Sequence, residues 1–159
     1  MNHIYLDSNI LIAYYATDEA EESKKAMVVT ALNTFAKLQH VQLCTSMWAV
    51  SEAINILISR KRMERASVAD IESRLVNEKR MCDLKIQFVD VSPKKSYDFV
   101  EFFFHVRQDI LQYHSGVGDI IHNVIMRNHG ISTILTFDEK TDFKQIPGLT
   151  VLHPKNVKL

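Results

Sequence analysis

The sequence is poor in the residues that build cross-linked or segmented proteins, with two cysteines, three prolines and four glycines among 159 residues. Cys44 and Cys82 lie far apart and form no C-x-x-C pair, which excludes a zinc ribbon and a disulfide scaffold. No repeat, Pro- or Gly-rich linker or block of like charge divides the chain. We therefore expect one domain over residues 1–159, whose 47% apolar composition supplies an ordinary core.

Long apolar runs and net charge are also missing. No stretch approaches the roughly 18 uninterrupted apolar residues of a membrane span, and the first residues lack the basic and apolar regions of a signal peptide. These absences predict a cytoplasmic protein without membrane contact. Because 19 basic and 19 acidic side chains cancel, a nucleic acid would have to be held by a local cluster of charge.

Short apolar segments alternate with segments of helical periodicity. We predict strands at residues 3–6, 41–44, 86–91, 132–136 and 149–152, with residues 7–9 as a turn. Helices are predicted from Asp18, over 48–60, from Ser67 through 76, from Ser92-Pro93 through Val106, and over 119–126. This alternation predicts an α/β fold, in which a mainly parallel sheet is covered on both faces and ligands bind at the carboxyl ends of its strands.

Four acidic residues lie next to apolar segments, where a simple solvent-exposed position does not explain them well. Asp7 and Asp138 each follow an apolar strand, Glu52 lies in an apolar helix, and Asp119 begins another. Singly, each is compatible with a cap, a turn or an outward position. Carboxylates gathered in one cleft would repel one another unless a cation neutralised them.

The simplest such cation is a divalent metal ion. Ligands that are all oxygen favour Mg²⁺ or Mn²⁺ over Zn²⁺, which prefers His and Cys. The seven histidines form no metal motif, since His122 and His129 are seven residues apart on one helix. We expect surface or supporting roles for them, with His122 nearest the predicted site.

The acidic segments resemble those of the PIN-domain ribonucleases, and most closely those of VapC-type toxins. Residues 4–12 (IYLDSNILI) are similar to the family's first strand and acid, and residues 51–53 (SEA) to its second. Residues 118–121 (GDII) resemble the third acid at the head of its helix. Residues 135–138 (LTFD), with Asp142-Phe143 and 146–149 (IPGL), resemble the closing motif.

This resemblance implies an α/β/α sandwich with a five-stranded, mainly parallel sheet in the order 3-2-1-4-5. It also implies an endoribonuclease dependent on Mg²⁺ or Mn²⁺, leaving a 3′-hydroxyl and a 5′-phosphate. Asp7, Glu52, Asp119 and Asp138 would hold the metal, with Asp142 as the alternative to Asp138. The residues expected to support this site are Ser8, Asn9, Thr136 and Asp142.

Other features bear on partners. Arg60, Lys61, Arg62 and Arg65 form the densest basic cluster, which either binds RNA or offsets a helix dipole. The aromatic helix with Tyr97, Phe99 and residues 102–104 (FFF) is either a buried core helix or the contact for a homodimer or an antitoxin.

Two other functions remain open at this point. A non-catalytic PIN-like module that binds RNA or protein would have lost one or more of the four acids, and all four are present. A haloacid-dehalogenase-like phosphatase would need a second Asp at position 9, which is Asn. A toxin and a housekeeping nuclease would share the same chemistry.

Overall fold

The computed structural model describes residues 1–89, 99–113, 115–138 and 142–157. Within these ranges, the strands are β1 (Asn2–Leu6), β2 (Val41–Thr45), β3 (Arg80–Met81), β4 (Leu84–Phe88), β5 (Thr133–Leu135) and β6 (Thr150–Leu152). The α-helices are α1 (Ser8–Tyr15), α2 (Glu22–Ala36), α3 (Met47–Ser59), α4 (Arg65–Ser73), α5 (Phe99–Gln112) and α6 (Val117–Asn128). Short helical turns cover Glu19–Glu21, Arg74–Glu78, Asp142–Gln145 and Pro154–Asn156.

The strands form one mixed sheet in the order β3-β4-β2-β1-β5-β6, with helices on both sides. The five strands β4-β2-β1-β5-β6 are parallel, which confirms the predicted order 3-2-1-4-5. The predicted count of five is wrong by one strand. The two-residue β3 pairs antiparallel with β4 at the edge, and it is too short to leave a period-two pattern in the sequence.

The strand order reverses between β1 and β5, which pair side by side with Leu6 opposite Leu135. Each is followed at once by a polar residue, Asp7 after β1 and Thr136 after β5. The backbone N–H of Asp7 donates to the carbonyl of Leu135 (3.2 Å), so the pairing continues to the ends of both strands. The edge where a parallel sheet binds ligands is therefore set at this pair.

The predicted turn at residues 7–9 is wrong, because helix α1 begins directly at Ser8. Asp7 is extended, and its carboxylate accepts the N–H of Ser8 as the helix cap. Caps and turns use the same residue types, which is why the sequence did not separate them. Helix α3 matches its prediction, with Ser46 accepting the N–H of Ala49 as its cap.

Other predicted boundaries also shift. The helix predicted from Asp18 begins as the short helical turn Glu19–Glu21 and continues as α2 from Glu22. Helix α4 begins at Arg65 after Glu64, so the predicted start at Ser67 is wrong. Strand β4 begins at Leu84 and ends at Phe88. Val89 is described and lies outside the strand, so the predicted strand is wrong at this residue. The rest of that strand as far as Val91, the Ser92-Pro93 helix start and Tyr97 lie outside the described residues.

Helix α5 buries part of its apolar surface and leaves other apolar side chains exposed. Phe102 and Val106 are buried, whereas Phe99, Val100, Phe103, Phe104 and Leu111 are exposed. The buried Asp109 on the same helix accepts hydrogen bonds from Asn123 and Arg127 of α6, which fixes the two helices together. Among the described helices, none is long and apolar enough to cross a membrane.

Candidate active site

Asp7 is the buried acid at the centre of the carboxyl edge, with 3% of its surface exposed. Its Oδ1 accepts the N–H of Ser8 (2.7 Å), and its Oδ2 accepts the hydroxyl of Thr136 (2.7 Å). The strand β1 delivers the residue and the start of α1 fixes its rotamer. Two donors from neighbouring elements thus hold the carboxylate in one orientation.

Asn9 and Thr136 connect Asp7 to Asp138. The amide nitrogen of Asn9 donates to the Thr136 hydroxyl (2.8 Å) and to Oδ2 of Asp138 (3.0 Å). Its carbonyl oxygen accepts the N–H of Phe137 (3.2 Å), and the Thr136 hydroxyl accepts the N–H of Asp138 (3.0 Å). The first turn of α1 is therefore bound to the loop after β5, and Asp138 lies exposed at its outer end.

His122 lies between two of the predicted acids. Its Nε2 is 2.7 Å from Oε2 of Glu52 and 3.4 Å from Oδ1 of Asp7. The ring is buried, whereas the Glu52 side chain is 30% exposed. An imidazole therefore occupies the space between the two carboxylates, in a more central position than the sequence indicates.

The other nitrogen of His122 faces the buried hydroxyl of Tyr5. Tyr5 Oη lies 2.9 Å from His122 Nδ1 and also contacts Oγ of Ser46. The Tyr5 hydroxyl can bond to either protonation state of the His122 ring. It accepts the Nδ1 proton of a charged imidazole while it donates to Ser46, and it donates to Nδ1 when that nitrogen carries no proton. A continuous chain of polar contacts thus runs from the cap of α3 through Tyr5 and His122 to Glu52.

Asp119 lies in the first turn of α6, one helical turn before His122 and on the same side. The residue before it, Gly118, meets Glu52 closely: a Cβ at this position would lie 2.8 Å from Glu52 Oε1. Gly118 therefore leaves the room in which the Glu52 carboxylate approaches α6. The arrangement brings the ends of α3 and α6 together at the same edge of the sheet.

The electrostatics follow from this crowding. Burial raises the pKa of the Asp7 carboxyl, against the charge of His122 and the hydrogen bonds from Thr136 and Ser8. Burial would lower the pKa of His122, but the hydrogen bond to Glu52 and the charges of Asp7, Glu52 and Asp119 raise it overall. Positive charge is therefore favoured at the point where these acids meet.

The donor set fits a hard divalent cation in its chemistry, because carboxylate oxygens are the ligands that Mg²⁺ and Mn²⁺ prefer. In the described parts of the chain, no three His, Cys, Asp or Glu side chains are already arranged to hold a metal ion. Glu52 Oε2 and Asp7 Oδ1 instead both lie near Nε2 of His122, at 2.7 and 3.4 Å. The Glu52 side chain is 30% exposed, so solvent reaches this acid.

The remaining predicted residues fall outside this cluster. Arg60, Arg62 and Arg65 are exposed at the end of α3 and the start of α4. Lys61 differs from them, because its ammonium contacts Asp18 Oδ2 and Glu21 Oε1, both at 2.8 Å. Asp142 begins the helical turn after the loop, and its side chain lies outside what the structure describes.

Sequence reasoning missed the Tyr5–His122 pair. Tyr5 reads as an ordinary strand residue, and its partner lies 117 positions away. One indication was available: Asp119 and His122 are three residues apart and so share a helix face, which placed the ring beside the predicted site.

The PIN domain family model matches residues 4–149. The chain belongs to the PIN domain family, as the four acidic motifs predicted. No curated protein matches it in sequence.

Solved structures that share the fold include the following three. VapBC2 from Rickettsia felis, bound to a DNA fragment from its promoter, contains a chain 18% identical with a TM-score of 0.62, covering 95% of this chain and 98% of that one. A toxin-antitoxin complex from Klebsiella pneumoniae gives 18% identity, a TM-score of 0.56 and coverages of 95% and 97%. VapC20 from Mycobacterium tuberculosis is a toxin that cleaves the sarcin-ricin loop. It is 21% identical to this chain with a TM-score of 0.52, and the match covers 86% of this chain and 91% of that one.

Proposed function

We propose that this protein is a metal-dependent endoribonuclease and the toxin of a toxin-antitoxin pair, acting in the cytoplasm. The observation that carries the proposal is the placement of the buried Asp7 and of Glu52 around one imidazole at the carboxyl edge of the sheet, with Asp119 on the same face of the helix that carries this imidazole. Membership of the PIN family and the likeness to toxin structures support it.

Asp7, Glu52, Asp119 and Asp138 would hold the divalent cation. When bound, Mg²⁺ or Mn²⁺ supplies a water of lowered pKa and stabilises the charge that develops on the phosphate. In the hydrolysis, the water oxygen bonds to phosphorus while the bond from phosphorus to the 3′-oxygen breaks. A proton then passes to that oxygen, which leaves a 3′-hydroxyl and a 5′-phosphate.

The residues around the acids act by orientation. Ser8 and Thr136 fix the two oxygens of Asp7, and Asn9 holds Asp138. His122 keeps the Glu52 carboxylate at the site and offsets its charge in the protein without metal. Such partners commonly change metal affinity or activity by about 10- to 100-fold when they are replaced.

Exposed cations beside the acids would hold the RNA. Helical rise places Arg60 about 12 Å from Glu52 along α3, a distance of about two phosphates. Arg62 and Arg65 extend the same surface. Lys61 contributes less to it, because Asp18 and Glu21 already neutralise its ammonium.

The proposed protein partners are a second copy of the chain and an antitoxin. Helix α5 exposes Phe99, Val100, Phe103 and Phe104 on one side, and covering such a surface favours association. Two of the similar structures are toxin-antitoxin assemblies. A small reading frame encoding a DNA-binding protein next to this one, whose product co-purifies with it, would support the antitoxin.

Purified protein tests the nuclease activity directly. The wild-type chain should cleave RNA in Mg²⁺ or Mn²⁺ and not in EDTA, with end mapping showing a 3′-hydroxyl and a 5′-phosphate. The substrate panel should include a sarcin-ricin hairpin, unstructured RNA and matched DNA. Asp7→Asn should abolish cleavage, whereas Asp70→Asn, which changes an exposed acid on α4, should not. Equal cleavage by wild type and Asp7→Asn would refute the assignment.

One observation favours a second candidate, a PIN module that binds RNA without cleaving it. His122 lies between Asp7 and Glu52, and when charged it would offset part of their negative charge without metal. In that case divalent ions would neither stabilise the protein nor promote cleavage, while RNA would still bind. The phosphatase alternative is not supported, because Asn9 holds the loop after β5 as a neutral amide.

A further inference from the structure

A cavity of about 380 Å³ adjoins the acid cluster at Asn9 and Asp138. Its walls include residues of α1 (Asn9, Ile12), Ile56 of α3, Arg60 directly after α3, and residues of the loop after β5 (Phe137, Asp138). Asn9 and Asp138 also belong to the acidic site, so the cavity opens where that site ends. We propose that this cavity binds the nucleobase next to the scissile phosphate, with the ring of Phe137 stacked on the base and Arg60 on the flanking phosphate. This inference rests on the proposed nuclease function.

The cavity lining combines apolar surface with charges that largely cancel, which suits a nucleobase. Ile12, Ile56 and Phe137 supply apolar surface, and the charged side chains in the wall compensate one another. Lys61 is paired with Asp18 and Glu21, and Lys24 with Glu21. A neutral, half-apolar cavity suits a flat, uncharged base better than a chain of phosphates.

Contacts with three neighbouring residues fix the position of Phe137, on whose ring we propose that the base stacks. Its N–H donates to Asn9 Oδ1, and its ring lies perpendicular to that of His153, with centroids 5.2 Å apart and planes at 88°. The ammonium of Lys24 lies 5.7 Å from the ring centroid. Lys24 is exposed on a flexible stem, so a base can replace it at the ring. Aromatic rings bind bases of single-stranded RNA in this way.

Arg60 supplies the positive charge at the rim. Glu52, Ile56 and Arg60 are spaced four residues apart and so lie along one face of α3, from the acid cluster to the outer end of the cavity. The Arg60 side chain is exposed and has no ion pair with any side chain in the described ranges. It therefore remains available for a phosphate, in contrast to Lys61.

The first experiment compares two probes that differ only in the base. Titrations of the wild-type protein with a nucleoside 5′-monophosphate and with ribose 5-phosphate, followed by NMR in EDTA, should show about tenfold tighter binding of the nucleotide. Phe137→Leu should remove this difference, Phe137→Tyr should keep it, and Phe104→Leu on α5 should leave it unchanged. Arg60→Gln should weaken both probes equally, whereas Lys37→Gln, which removes an exposed charge at the end of α2, should weaken neither.

The second experiment separates this inference from the nuclease assignment. In RNA cleavage, Phe137→Leu should raise KM about tenfold while the single-turnover rate at saturating RNA changes little. Cleavage with an unchanged KM in a Phe137→Leu protein of wild-type melting temperature would overturn the base site and leave the nuclease intact. Base-dependent binding that requires Phe137, in a protein that cleaves nothing, would support the base site while the nuclease fails. A Phe137 effect confined to antitoxin binding would assign the cavity to a protein partner and overturn the inference.

Discussion

The Nε2 atom of His122 lies 2.7 Å from Oε2 of Glu52, while the opposite nitrogen of the same ring lies 2.9 Å from the hydroxyl of Tyr5. Through this ring, a buried residue of the central strand determines where a partly exposed acid on α3 can lie. The contact joins α3, α6 and β1 at the one edge where the family's acids are expected.

Removing the Tyr5 hydroxyl should disturb the site without changing its shape. Tyr5→Phe keeps the ring that packs in the core, but it leaves His122 Nδ1 without its partner and Ser46 with only the N–H of Ala49. We expect the free energy of unfolding to fall by about 1–3 kcal/mol and single-turnover cleavage to fall as Glu52 loses its position. Tyr14→Phe, whose hydroxyl contacts Cys82 instead, is the control for chemical denaturation and activity. Unchanged cleavage by Tyr5→Phe would show that the ring does not need this anchor.

Replacing Asp119 should separate stability from activity. Because the acids repel one another without metal, Asp119→Asn should leave the metal-free protein as stable as the wild type or more so. Cleavage should be abolished, and the Mn²⁺-induced rise in Tm should shrink, because a cation that binds only the folded state stabilises it by mass action. Calorimetric titration with Mn²⁺ measures both proteins. Equal Mn²⁺ binding by the two would mean that Asp119 is only a helix-start residue.

The metal-free protein should lose stability as the pH rises. The pKa values of Asp7 and His122 are both raised in the folded state, so the folded protein binds more protons than the unfolded chain. For His122, this stabilisation is complete below the ordinary histidine pKa of about 6.5 and is lost as the pH rises through the higher folded value. Urea unfolding in EDTA between pH 5.5 and 8.5 should show the decline. In His122→Asn, the free energy of unfolding should fall less with rising pH. A steeper fall in that variant would contradict the prediction.

The basic residues after α3 should divide into two groups. Changing Arg60, Arg62 and Arg65 together to Gln should raise KM for RNA and reduce the salt dependence of binding, by about 0.7 in the logarithmic slope for each phosphate that the protein no longer binds. Lys61→Gln should instead destabilise the fold, because it leaves the largely buried Glu21 without its closest cation. Filter binding at several salt concentrations, with melting curves, tests both. If Lys61→Gln alone reduced the salt dependence of RNA binding as much as the triple arginine change does, Lys61 would belong with the RNA-binding residues and this prediction would be wrong.

Helix α5 should mediate self-association. We expect a homodimer by light scattering at micromolar concentration, and Phe104→Glu should shift it to monomer with little change in Tm, since Phe104 is 47% exposed. Phe102→Glu should unfold the protein, because Phe102 is buried in the core. A wild-type protein that runs as a clean monomer would contradict the dimer.

The sequence predicts the parallel sheet and its acidic edge because each depends on local patterns. Asp7 and Thr136 directly follow strands, and parallel strands bring their carboxyl ends together whatever the loops do. Helix α1 and strand β3 were not predicted, for physical reasons. The capping carboxylate of Asp7 has the same chemistry as a turn residue, and a two-residue strand has no periodicity. The position of His122 between Asp7 and Glu52 depends on packing between elements far apart in the sequence.

The short strand β3 has a consequence for how copies of the protein meet in concentrated solution. It pairs with only two residues of β4, setting Arg80 beside Lys85, and both side chains are exposed. A neighbouring chain that tried to extend the sheet here would find a two-residue edge and two like charges. The opposite margin, β6, is only three residues long. Both edge strands thus disfavour the edge-to-edge pairing by which open sheets aggregate. We therefore expect the side chains of α5 to be the main route of association.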